Sequence, residues 1–418
     1  MKRHLISLLA AFCLTANLHA QNFYMCQDGN VETSPTLSFS NGGATINESI
    51  STTSIDSITT HVPDLKFVGG DLSLLPRYEA NGANFLDIDG QEIDDMLSYL
   101  KQQGWNSVRV RLFVDPSKAS NTDKGQGVCQ DLEYVKAFGK RVKDAGLLLM
   151  LDFHYSDSWA DPSKQWIPAE WTSLSEDALK TKVYEYTKEC LLQMNEAGAT
   201  PDFIQTGNEI SYGMLWGKEG VKTYYCTSAS NAAIWNRFTS LLKQAGKACR
   251  EVCPRAKIVL HTERVARPDA AVNFYNQMQQ ADVDFDIIGT SYYSYYHGDL
   301  SKLNSALTML ETNFPKKKIM IVEAGYYHAW QPNGSDIIDL SALYPITPEG
   351  QQAFTKALIE TLKKHKNVNG LYWWWAEANE YGLDWNTKRV TDKWYNAGLF
   401  DNQTGKAMPA LYELKNFR

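Results

Sequence analysis

The sequence predicts an α/β fold: a closed (β/α)8 TIM barrel with a short β-rich appendage at its N-terminus. Three observations carry this expectation. From Phe67 to the C-terminus, short apolar runs of strand character alternate with longer amphipathic segments, the pattern of repeated βα units. The strand-like runs number eight, as a closed barrel requires. The first ends in Gly69-Gly70-Asp71 and not in the GxGxxG phosphate loop that an open doubly wound sheet usually places there.

At 418 residues the length admits several domains or one large barrel. The formal charge of −7 gives no dominant basic surface, so neither nucleic acid nor an acidic membrane is expected as a partner. A neutral substrate and a monomer are expected instead. The unusual feature is 12 Trp and 22 Tyr. Such rings cost little to order and stack on flat apolar faces, those of sugars included.

Taken in chain order, Lys2 and Arg3 precede an apolar run from Leu5 to Leu14, and Leu18-His19-Ala20 follows, the layout of an export signal cleaved after Ala20. The run is too short for a membrane span. Phe12 is bulky where a lipoprotein signal places a small residue, which disfavours a lipid on Cys13. Residues 1–20 are thus read as a signal peptide, and the protein as exported to the periplasm, the cell surface or the medium. Residues 21–62, rich in Ser, Thr, Asn and Gly with alternating pieces such as Thr36-Leu37-Ser38-Phe39, are read as a β-rich appendage or spacer. Residues 63–418 form the barrel. Beyond the signal, Cys26, Cys129, Cys190, Cys226, Cys249 and Cys253 are even in number and permit disulfides in an oxidising compartment. No CxxC pair suggests zinc, no pairing can be assigned, and free buried thiols are the alternative.

The expected strands are Phe67–Asp71, Ser107–Leu112, Leu147–His154, Phe203–Glu209, Ile258–His261, Asp286–Tyr292, Ile319–Glu323 and Leu371–Trp375. Between them lie helical stretches such as Asp94–Gln103 and Asp131–Ala145, each followed by a glycine, Gly104 and Gly146, that ends it.

Barrel enzymes carry their chemistry at the C-terminal ends of the strands. Here these ends hold Arg109 and Arg111, Asp152 and His154, Asn208 and Glu209, Ser291 and Tyr292, and Glu323. Any one of these is compatible with a solvated rim. Together they are more specific: Glu209 and Glu323 end the fourth and seventh strands, which face one another across the mouth. Two opposed carboxylates are the minimum apparatus for cleaving a glycosidic bond, one donating a proton to the leaving oxygen and one acting as nucleophile or base. Asn208 is placed to hydrogen-bond a sugar 2-hydroxyl and the nucleophile. Arg109 or Arg111 is placed to hold that nucleophile ionised.

The stretches Gly70-Asp71-Leu72-Ser73, Val108-Arg109-Val110-Arg111-Leu112, DFHYSDSWADP from Asp152 to Pro162, Gly207-Asn208-Glu209, and Ser291-Tyr292-Tyr293 with His297-Gly298 resemble glycoside hydrolase family 53. The resemblance spans roughly residues 66 to 416. It implies a secreted, retaining endo-β-1,4-galactanase acting on galactan and type I arabinogalactan, with Glu209 as acid/base and Glu323 as nucleophile. The substrate-binding set expected from these motifs and from the rings at strand ends is Asp71, Arg109, Arg111, His154, Tyr155, Trp159, Asn208, Tyr292, Tyr295, His297, Trp373 and Trp375, with Trp374 beside them.

The sequence departs from the family in three places. After the eighth strand it reads Tyr372-Trp373-Trp374-Trp375-Ala376-Glu377 where relatives usually have Tyr-Trp-Glu-Pro-Ala-Trp. After the sixth, Ser294 and Tyr296 replace Pro and Trp, so one sugar-stacking ring is expected to be a tyrosine. Bacterial relatives carry a calcium-binding loop after the seventh strand. Here residues 326–336 offer too few regularly spaced oxygen ligands, so no cofactor is expected, and calcium is the one left open. Other readings are a barrel metal hydrolase using Asp152, His154 and His261, which lacks the HxH of a first strand; Glu263 in place of Glu209; another endo-glycanase such as a mannanase or cellulase; and a sugar-capture protein without turnover, which would need neither glutamate.

Overall fold

A computed structural model describes residues 66–331, 334 and 336–418, together with five backbone strands in the N-terminal part. The expected signal, residues 1–20, lies outside the described residues, as do Pro332, Asn333 and Ser335 of the segment considered for calcium. The chain divides into two units, Met1–Leu65 and Lys66–Arg418. In the first, Phe23–Gln27 is the central strand of an antiparallel sheet between Asn30–Ser34 and Ser57–Thr59, and Leu37–Ser40 pairs with Gly43–Ile46.

In the second unit eight parallel strands close in chain order: β1 (Phe67–Asp71), β2 (Ser107–Leu112), β3 (Leu148–Phe153), β4 (Phe203–Thr206), β5 (Lys257–Thr262), β6 (Ile287–Tyr293), β7 (Lys318–Gly325) and β8 (Val368–Trp373), with β8 paired to β1. The helices between them include α1 (Met96–Gln102), α2 (Leu132–Asp144), α3 (Glu176–Glu196), α4 (Ala232–Val252), α5 (Pro268–Gln280), α6 (Leu300–Asn313) and α7 (Pro348–Leu362), and α8 (Pro409–Glu413) follows β8. Their ends follow local chemistry. Asp95 and Asp131 cap α1 and α2 by accepting from the amides of Leu97 and Tyr134. Gly104 and Gly146 close the same segments with φ of 92° and 71°, a conformation that costs glycine little.

Two strands, β4 and β8, differ from expectation by three residues at one end. β4 stops at Thr206 because Gly207 (φ 106°) and Glu209 (φ 46°) turn the chain out of the ladder. β8 begins at Val368 and stops at Trp373, and Trp375 (φ 51°) already belongs to the following loop.

Side-chain alternation organises the barrel interior in layers. A lower apolar layer holds Met150, Phe203, Val259, Ile287, Met320, Val322 and Tyr372. Each such side chain contributes ~1.5–3 kcal/mol by leaving water. Two residues further along β3, β4 and β5 the inward position becomes Asp152, Gln205 and His261, all buried. The same period that packs the barrel therefore delivers a polar floor to its C-terminal mouth. Close approach of β1 and β2 requires Gly69, whose added β-carbon would stand 2.0 Å from the Ser107 carbonyl oxygen.

Candidate active site

Arg109 on β2 is the hub of the polar floor. Its Nη1 stands 3.0 Å from Asp71 on β1, and its Nη2 stands 2.7 Å from Asp152 on β3 and 2.9 Å from Glu323 on β7. Nη2 also donates to Asn208 Oδ1 at 2.9 Å. Arg111 joins the network through Asp71 at 2.8 Å. Buried charges persist only when paired, and here two guanidinium groups face three carboxylates. Although burial opposes it, Arg109 followed by His154 holds Asp152 below the usual carboxylate range.

The two glutamates enter one cleft of about 560 Å³, also lined by Trp159, Asp161, Asn208, Glu263, Tyr293, Tyr296, His297, Trp374, Trp375 and Trp394. Their surroundings differ. Glu323 has Arg109 on Oε1 and receives a hydrogen bond from Tyr293 Oη on Oε2 at 2.8 Å. Among the described residues Glu209 has no cation within ion-pair distance, and it receives a hydrogen bond from Ser291 Oγ to Oε1 at 2.6 Å. Burial, then Glu323, then Glu263 push the Glu209 carboxyl well above its ordinary range. Burial also pushes Glu323 up, to about 7, against the pull of Arg109 and Tyr293. Glu209 therefore holds a proton more tightly than Glu323, whose charge the guanidinium and phenol support.

The backbone around the pair is unusual. Glu209, Trp375 and Trp394, all on the cleft wall, have φ of 46°, 51° and 70°. Non-glycine residues held there store strain, and such strain clusters at functional sites. Asn208 is fixed by Arg109 on its oxygen and by the Ala160 carbonyl, which accepts from its Nδ2 at 2.8 Å.

The tryptophans rest on a cation. The Arg111 guanidinium lies 4.9 Å from the rings of Trp159 and Trp374 and 5.4 Å from that of Trp375. Trp394 meets Trp374 edge-on at 6.2 Å, so the rings form a continuous wall.

Among the residues expected from sequence, Glu209, Glu323, Trp159, Asn208, His297 and Trp375 line the cleft. Asp71, Arg109, Arg111 and His154 lie beneath it, fully covered. Burial keeps His154 neutral, with Nε2 3.1 Å from Asp152 and Nδ1 accepting from the Ala160 amide at 3.0 Å. It braces the floor where a wall against the sugar was expected. Four aromatics expected to face substrate are turned away. Tyr155 stacks on Phe153 and its hydroxyl meets Thr187 on α3 at 2.8 Å. Tyr292 lies between the inward residues Ser291 and Tyr293, so alternation points it outward, where it stacks on Phe354 of α7 and donates to the Gly298 carbonyl. Tyr295 stacks on Tyr327 at 4.3 Å, leaving Tyr296 on the cleft. Trp373 follows inward Tyr372 and donates from Nε1 to the Ala397 carbonyl.

The substrate-binding set drawn from sequence omits Asp161, Glu263, Tyr293 and Trp394 of the cleft wall, whereas Trp374 and Tyr296, which the sequence marked beside that set, line it. Tyr293 was findable by strand parity. Trp394 sits in the long loop after β8, where no periodicity marks it. Glu263 accepts from Ser211 Oγ at 2.5 Å and pairs with Arg264 at 3.3 Å, which leaves Glu209 as the carboxylate opposite Glu323 without a cation. Among the described residues no group of three or more His, Cys, Asp or Glu side chains is arranged to hold a metal ion, and Cys129, Cys190, Cys226, Cys249 and Cys253 are free thiols.

This geometry matches known proteins. The family model described as Glycosyl hydrolase family 53 matches residues 67–414. The endo-beta-1,4-galactanase of Bacillus subtilis (strain 168) is 28% identical over 380 residues, covering 82% of this chain and 84% of its own. The GH53 catalytic domain of Ignisphaera aggregans is 33% identical with a TM-score of 0.72, covering 85% of this chain and 96% of that one. A structure from work on two fungal beta-1,4-galactanases is 28% identical with a TM-score of 0.68, covering 84% and 99%.

Proposed function

The chain belongs to glycosyl hydrolase family 53, and from that premise we propose that it cleaves β-1,4-galactosidic bonds within galactan and type I arabinogalactan, with retention of anomeric configuration. The observation that carries this reading is the asymmetry of the pair: Glu323 held by Arg109 and Tyr293, Glu209 without a cation. In the first step the Glu323 carboxylate attacks the anomeric carbon while Glu209 passes its proton to the departing oxygen, giving a glycosyl ester and a shortened chain. In the second, Glu209, now a carboxylate, takes a proton from water as that water displaces Glu323. Each step needs the charge distribution the other leaves behind.

Cutting inside a chain calls for room on both sides of the scissile bond. A second groove of about 560 Å³, carrying Trp166, shares Trp159 and Lys164 with the catalytic cleft and supports this endo action. The name of the Bacillus subtilis relative supports galactan as substrate. The polar N-terminal residues and apolar run described above support export, and sequencing the N-terminus of protein recovered outside the cytoplasm tests it: Gln21 is expected, and Met1 would refute cleavage.

The activity test is reducing-end release from β-1,4-galactan beside mannan and cellulose. Release from galactan alone is expected. Release from mannan or cellulose instead would identify another endo-glycanase, and tight galactan binding without product would identify a capture protein.

A further inference from the structure

Behind Glu209 lies a chain of groups that the mechanism above does not use. His261 on β5 and Ser291 on β6 are fully buried neighbours, with His261 Nε2 2.8 Å from Ser291 Oγ and Ser291 Oγ 2.6 Å from Glu209 Oε1. The direction of the chain is set at its far end. Nδ1 of His261 accepts from the Glu209 backbone N–H at 3.3 Å, and also faces Gln205 Nε2 at 3.0 Å, an amide whose two protons serve Asp152 Oδ1 and Asn208 Oδ1. It also faces one oxygen, Asn208 Oδ1 at 3.0 Å, which already accepts from Arg109 Nη2 and Gln205 Nε2. Nδ1 therefore accepts, the ring proton resides on Nε2, and Nε2 donates to Ser291 Oγ. A serine hydroxyl has one proton and two lone pairs; with one lone pair engaged by His261, the proton points at Glu209 Oε1.

We propose that the His261–Ser291 pair positions the acid/base by keeping a fixed donor on Glu209 Oε1, so that the transferable proton is carried by Oε2, and by supporting the carboxylate that the second step requires. The pair touches no substrate. A donor committed to Oε1 excludes the proton from that oxygen when Glu209 is the acid, and stabilises the anion when Glu209 is the base. Burial, then Arg109, keeps His261 neutral, so the relay is not itself a pH switch. The groups facing His261 are Arg109 from β2, Asp152 and His154 from β3, Gln205 and Asn208 from β4 and its end, and Ser291 from β6. Those facing Glu209 are Ser291, Tyr293 and Tyr296 from β6 and its loop, Glu323 from β7, Glu263 after β5 and Asp161 after β3.

The inference rests on Glu209 being the acid/base, and the experiment separates the two. The pH profile of kcat/KM on galactan is measured for the full chain and for Ser291→Ala and Ser291→Thr, and the His261 tautomer is read from imidazole 15N shifts of the unaltered protein. Loss of the donor destabilises the carboxylate, so Ser291→Ala is expected to move the basic limb upward by about one pH unit, with KM little changed. Ser291→Thr, which keeps the hydroxyl, is expected to restore it, and the tautomer is expected to be Nε2–H. An Nδ1–H tautomer overturns the proposal whatever the variants do. So does an unmoved basic limb in a Ser291→Ala protein that melts like its parent. If Glu209→Ala retains the basic limb, the acid/base reading itself fails, whichever way Ser291 behaves.

Discussion

Arg109 Nη2 stands 2.9 Å from Glu323 Oε1, and the same nitrogen stands 2.7 Å from Asp152. One buried cation thus serves both the architecture of the floor and the charge of Glu323. Arg109→Gln removes both. The acidic limb of kcat/KM is expected to move upward, because Glu323 loses its cation and binds its proton more tightly, with a fall of about 10²-fold or more in rate. Leaving buried Asp152 without its guanidinium should also cost about 3–5 kcal/mol in denaturant unfolding, while Asp71 keeps Arg111. An unchanged acidic limb would show that Arg109 serves structure alone.

The two glutamates should fail differently. On an aryl galactoside with a good leaving group, Glu209→Gln needs no proton donor for the first step and should show a burst of phenol followed by slow turnover. On galactan it should lose about 10²–10⁴-fold. Glu323→Gln should show neither burst nor turnover on either substrate. Equal loss in both variants would contradict the assignment.

The aromatic wall makes a prediction of placement. Trp394→Ala should raise KM for galactan about 2- to 10-fold, the range that ~0.5–1.5 kcal/mol of ring contact represents, while kcat on a small aryl galactoside stays near that of the parent. Tyr292→Phe should leave KM unchanged, because its hydroxyl faces Gly298 behind the barrel. It should cost about 0.5–1.5 kcal/mol of stability.

Glu377 offers a stability test. It follows β8, accepts from the Leu74 amide at 2.7 Å, and is pushed up to about 8 by burial and then by Asp71. The folded protein therefore holds a proton that the unfolded chain, with an ordinary glutamate, releases at lower pH. This contribution is fully present below the unfolded value and is lost as pH rises toward 8. Melting temperature should fall between pH 5 and pH 8, and Glu377→Gln should flatten that fall. A variant with the parent's slope would show that other groups govern it.

The barrel was legible in the sequence because its signals are local. Short apolar runs, aspartate caps and terminal glycines fix most of the elements to within a residue or two. The carboxylate pair was legible because strand ends are where a barrel concentrates its polar groups. What the sequence obscured depends on direction. Tyr292 and Trp373 neighbour inward residues, and only parity counted along β6 and β8 turns them outward. Tyr155, with φ of 50°, leaves the strand geometry on which such counting relies. Trp394 reaches the cleft from a loop whose path no periodicity encodes. His261, read first as a candidate metal ligand, turns out to touch Asn208, Gln205 and Ser291, contacts that exist only once three strands are side by side.

If Glu323 attacks and Glu209 protonates, two inversions give net retention. Proton NMR of galactan hydrolysis, followed from the first minutes, tests this most directly. The β-anomer of the new reducing end is expected to appear first and to relax to the equilibrium mixture. Initial release of the α-anomer would mean a single displacement by water, and Glu323 would not be a nucleophile.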